Sequence, residues 1–190
     1  MYKTFNDAQP EDHAALALTV LDELSFMKKL APEDEALVRF AIKNHNKKTI
    51  EPTDDRRALL FAKMLRDADK LDIYRVLAPF LDESHADEAP KFMAGLKSQQ
   101  VTESFTKALV EGHQADYHAI RTHGDRKVVR LLWVYDINFA WTMRKIVERG
   151  YIDRVIHALP HGRELTEGFQ KLKTYVAKKC AEQDKLADFL

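Results

Sequence analysis

The chain has 190 residues, 45% of them hydrophobic and 32% charged, which is enough for one domain with a real core and too charged for a membrane interior. Thirty Lys and Arg balance thirty Asp and Glu, so the overall basic field of a non-specific nucleic-acid binder is missing and no nucleic-acid partner is expected. A single cysteine, Cys180, excludes an intramolecular disulfide, and the N-terminus has no signal-peptide pattern. The most apolar stretch, Val128 to Trp141, is interrupted by Arg130 and Asp136 and falls short of the ~18 apolar residues of a membrane span. A cytoplasmic chain with no membrane association is the expectation.

Six glycines and six prolines, with apolar residues recurring at three and four positions, predict an all-α fold. The first helix is expected from about Pro10 to Leu24, with Leu16, Val20, Leu21 and Leu24 in one stripe that His13 begins. Pro32, followed by Glu33, Asp34 and Glu35, opens a second helix on which Leu37, Ala41 and His45 share a face. A third should run from about Asp55 to Leu77, stopped by Pro79. Residues 82 to 100 look like a loop or irregular helix joining two parts of one fold, 1–80 and 81–190. Further helices are expected at Thr102 to Val110, Lys127 to Arg149 with Gly150 as its C-cap, Tyr151 to Leu159, and Glu164 to about Lys185.

Segment Ala58 to Leu77, ALLFAKMLRDADKLDIYRVL, is the most informative. At about 100° per residue, Phe61, Met64, Leu65, Ala68 and Val76 share an apolar arc opposite Lys63, Arg66, Asp67 and Lys70. Asp69 and Asp72 fall inside the apolar arc. A buried carboxylate needs a metal, a cation or hydrogen-bond donors. Imidazoles on the neighbouring stripes, His13 and His45, make convergence of His, His and Asp from three helices one solution; the other is a set of structural ion pairs with ordinary core histidines.

These residues carry a family resemblance. AIKNHNK (41 to 47), followed by ALLFAKMLRDADKLDIYRVL, resembles the HD-domain superfamily of metal-dependent phosphohydrolases, in particular a bacterial branch of it. EDHAALALTVL (11 to 21) and WVYDINFAWTMRKIVERGYI (133 to 152) are similar to further segments of that branch. The resemblance implies an HD-like helical bundle acting on a phosphate ester or nucleotide. It also implies a divalent cation, Mn, Fe, Co, Ni, Zn or Mg, which would activate a bound water and polarise a phosphoryl oxygen. Asp69 would be the last metal ligand; His13 and His45 would line the phosphate pocket or bind metal; Lys70 and Asp72 would sit in or beside the pocket. His45, Lys70 and Asp72 are the implied catalytic set, with His45 steering phosphate or protonating the leaving oxygen.

The sequence departs from the family in having no His-Asp dipeptide and no counterpart of the histidine helix before it. An N-terminally shortened bundle is therefore expected, and a non-catalytic scaffold or dimerising, ligand-binding module is the alternative function. Exposed apolar stripes left by such shortening predict a homo-oligomer. Elsewhere, His113, His118 and His123 are expected in a solvated loop, and His157 and His161 on the surface with a helix ending between them. Asp136 lies on an apolar stripe, where a buried hydrogen bond or salt bridge is the first expectation.

Overall fold

A computed structural model describes residues 13–24, 27–81, 96 and 98–184. Among them the secondary structure is all-helical: α1 (His13–Glu23), α2 (Pro32–Asn44), α3 (Arg56–Leu77), α4 (Glu103–Glu111), α5 (His123–Leu132), α6 (Ala140–Glu148), α7 (Tyr151–His157) and α8 (Arg163–Ala181). None of these helices is long and apolar enough to cross a membrane. The expected start of the first helix at Pro10 and most of the expected loop at 82 to 100 lie outside the described residues. Two compact units are present, one within residues 1–69 and one within 70–184, so the division falls inside α3.

In the first unit, local chemistry sets the helix ends. Pro32 stands in the first turn of α2, followed by Glu33, Asp34 and Glu35 at the positive end of the helix dipole. Asp55 caps α3, its Oδ1 accepting from the Ala58 amide at 3.0 Å. α1 packs on α2. Ala14 is the buried residue of α1, whereas Val20 and Leu24 are exposed, so the expected stripe is only partly covered. The α2 stripe is buried at Leu37 and Ala41, with His45 half-buried at the C-cap.

The face of α3 is the main correction. Ala58, Ala62, Arg66, Lys70 and Tyr74, four residues apart, are all buried. Phe61, Met64 and Val76 from the expected apolar arc are 39%, 53% and 37% exposed. The interior side of this helix carries charge because each charge meets a partner. Arg66 Nη1 donates to the carbonyls of Asn44 (3.0 Å), Lys47 (2.5 Å) and His45 (3.4 Å), satisfying carbonyls that the end of α2 leaves open. Asn44, also fully buried, donates from Nδ2 to Phe40 O at 2.9 Å and accepts from the Glu51 amide at 2.9 Å. Together they shape the turn that follows α2.

The second unit has the larger core, including Phe105, Leu109, Val128, Leu131, Met143, Ile146, Val155 and Leu172. α4 packs on α5 and α8, α6 on α7 and α8, and α5 on α7. At Gly168, a Cβ would come within 2.7 Å of Leu109 Cγ, so glycine permits the close approach of α8 to α4. The single helix expected from Lys127 to Arg149 is two helices. Between them, Trp133 to Asp136 form a 3-10 turn and Ile137 is extended. α6 then starts afresh, its first amides donating to Asp184 at 2.6 and 2.9 Å. Gly150 takes the left-handed conformation (φ 68°) after α6, as its C-cap role requires.

Candidate functional site

His13 and His45 meet. Their Nε2 atoms are 2.8 Å apart, and the rings are edge-on, centroids 4.8 Å apart at 63°. His45 Nδ1 lies 2.7 Å from the Ile42 carbonyl. A carbonyl only accepts, so Nδ1 carries the proton and Nε2 presents a lone pair toward His13. This is how an imidazole is oriented for metal ligation, with the second nitrogen tied to a backbone oxygen. His13 Nε2–H donates into that lone pair.

The order of events from sequence to site is traceable. Asn44 and Arg66 hold the backbone on either side of His45, so the imidazole leaves a fixed helix end rather than a free loop. The packing of α1 on α2 brings His13 opposite. Arg66 and Asn44 are therefore positioning residues. Periodicity puts Arg66 on the polar side of α3 because a hydropathy pattern does not distinguish a solvated cation from one that caps another helix.

Two imidazoles could supply only two of the four to six ligands a transition-metal ion takes. Among the described residues, no group of three or more His, Cys, Asp or Glu side chains is arranged to hold a metal ion. Asp69 is half-buried in the first unit with the two histidines but belongs to no such group.

Lys70 and Asp72 are placed in the second unit. Lys70 Nζ is 2.5 Å from Asp136 Oδ2, with only 11% and 21% of the two side chains exposed. Asp72 does not face inward: its carboxylate is 61% exposed and bound by Arg75 at 2.7 and 3.0 Å. Three residues apart on one helix turn, Asp72 and Arg75 form a solvated pair. Lys70 is buried and Asp136 half-buried, and the ion pair compensates the burial of the lysine charge.

The other histidines separate by environment. His113, His118, His157 and His161 are exposed. His123, expected in a loop, begins α5. Burial pushes its pKa down, and Arg126, Lys127 and Arg130 add to that. Compared with protein-family models, with curated proteins and with solved structures, the chain has no significant match in any of the three.

Proposed function

We propose that this chain is a phosphohydrolase-like helical protein of the HD type, acting on a phosphate ester or nucleotide, with His13 and His45 as the histidine corner of a divalent-metal site. The observation that supports this most is the approach of the two Nε2 atoms to 2.8 Å, with His45 Nδ1 already tied to the Ile42 carbonyl. Imidazole and carboxylate donors suit Mn, Fe, Co, Ni or Zn. Bound there, a cation would acidify a water and polarise a phosphoryl oxygen. The protein's own part is to hold two imidazoles at fixed separation. Asp69 is the proposed carboxylate of the same unit.

The test is equilibrium binding of Mn²⁺ and Co²⁺ to chelator-stripped protein, read by calorimetry, alongside hydrolysis of p-nitrophenyl phosphate. About one ion per chain is expected, with His13→Ala and His45→Ala each weakening binding by about tenfold or more. Binding that is absent, or unaltered by both substitutions, refutes the metal reading. A second reading, a non-catalytic helical module that dimerises, draws support from the exposed Phe61, Met64 and Val76 on α3. A metal-binding chain with no turnover that elutes as a dimer would favour it.

A further inference from the structure

α5 carries two arginines one turn apart, Arg126 and Arg130, in an unusual electrostatic setting. Arg130 is only 4% exposed. Its Nη1 donates to the Arg126 carbonyl at 2.6 Å, but its buried Nε has no acceptor. Arg126 is half-buried, and its Nη1 is likewise buried with no acceptor. Among the described residues, neither guanidinium has a carboxylate partner, and burial depresses both pKa values, that of Arg130 to about 10. Both remain cations at neutral pH. Two adjacent, desolvated cations repel each other and leave strong donors unused, which is costly unless an anion completes the site.

The nearby acids are committed elsewhere. Asp125, fully buried on the same helix, accepts from the amides of Thr102 (2.7 Å), Arg121 (3.0 Å) and Thr122 (3.1 Å) as part of the α5 capping box. Asp116 accepts from the His118 amide, and Asp136 holds Lys70. Lys127 turns away from the pair, donating to Gln99 Oε1 and the Ala158 carbonyl. The backbone of Arg130 meets an aromatic pair. Its carbonyl accepts from the Tyr74 hydroxyl, and Tyr74 lies edge-on to Trp133, centroids 5.6 Å apart.

We infer that Arg126 and Arg130 form the binding site of a phosphoryl dianion, with His123 at its rim. One carboxylate is satisfied by the fork of a single guanidinium, whereas a phosphoryl group has three oxygens and enough charge for two. The inference does not rest on the histidine pair, since every residue in it belongs to the second unit.

The experiment uses the full chain in EDTA at constant ionic strength, titrated with inorganic phosphate, with ribose 5-phosphate and with acetate. Melting temperature and calorimetry are the readouts. Both phosphoryl compounds are expected to raise the melting temperature, whichever ranks first, with acetate about tenfold weaker or worse. Arg126→Gln should weaken phosphate binding by about tenfold, while Arg154→Gln, at an exposed arginine of α7, leaves it unchanged. The His123 imidazole pKa, followed by NMR, should rise on phosphate binding. Arg130→Met is the stronger perturbation; should it not fold, Arg126→Gln decides, because the Arg126 side chain makes no hydrogen bond that folding needs. Absence of phosphate stabilisation over matched chloride, or undiminished binding by Arg126→Gln, overturns the site. Loss of phosphate binding in His13→Ala reassigns the anion to the histidine pair and overturns it equally.

Discussion

Replacing Arg66 by methionine keeps most of the aliphatic volume on the buried face of α3 and removes the cation at the end of α2. The structure sets the size of the effect. Arg66 is 3% exposed, and its Nη1 reaches the Asn44, His45 and Lys47 carbonyls at 3.0, 3.4 and 2.5 Å. Charge-assisted hydrogen bonds contribute about 1.5–3 kcal/mol each and are not additive over one shared donor. The favourable cation at a partly buried helix C-terminus adds up to about 2 kcal/mol. Water can reach the solvent side of the turn, so the expected loss is about 3–4 kcal/mol, at the upper end for a single substitution. Urea unfolding should show a lower midpoint at unchanged m-value. Because His45 follows Asn44 directly, its ring ¹⁵N shifts should also lose the signature of a Nδ1–H bound to a carbonyl. A loss below about 1 kcal/mol with the His45 shifts intact would refute the claim that Arg66 positions the histidine.

The Lys70–Asp136 pair gives a second prediction: Lys70→Met and Asp136→Asn should each destabilise the fold by about 1–3 kcal/mol, and the double variant by less than their sum, because both changes remove the same ion pair. Additive losses in a double-mutant cycle would show that the pair is solvated. Gly124→Ala would place a Cβ 2.3 Å from the Gln100 carbonyl oxygen and 2.5 Å from that of Gln99. It should therefore detach segment 98–100 from α5 and cost about 3 kcal/mol through the His123 N–Ser98 O and Thr122 Oγ1–Gln100 O bonds; amide exchange at His123 and the melting temperature report it. His123, with its folded pKa lowered from 6.5, binds protons more readily unfolded, so its contribution to stability is present above about pH 6.5 and is lost as pH falls below that value toward the folded pKa. His123→Gln should flatten that part of the acid limb, and an unaltered pH–stability curve would contradict the assignment.

Three helix boundaries were readable from local groups, whereas the start of α5 was missed although its capping box, Thr122 with Asp125, is local. Pro32 with its acidic turn, Asp55 before α3 and Gly150 after α6 depend on neighbours within a few residues, and each marks a helix boundary in the structure. The orientation of α3 was not readable, because it depends on partners distant in sequence. Arg66 is buried by carbonyls about twenty residues away, Lys70 by Asp136, and Tyr74 by the Arg130 carbonyl. Hydropathy assigns Arg66 and Lys70 to solvent and thereby turns Phe61, Met64 and Val76 inward. The break between α5 and α6 was equally hidden, since the cap that restarts the helix at Ala140 is Asp184. Of the candidate site, the contact between His13 and His45 was legible because each imidazole extends a four-residue stripe on its own helix. The expected inward carboxylate of Asp72 was not, because Arg75 on the next turn holds it in solvent.

A crystal grown with Mn²⁺ and measured for anomalous scattering addresses the histidine corner most directly. The account predicts a peak about 2.0–2.2 Å from Nε2 of both His13 and His45, with His45 Nδ1 still on the Ile42 carbonyl. A map without that peak at saturating metal, with the two rings still hydrogen-bonded to each other, would contradict it.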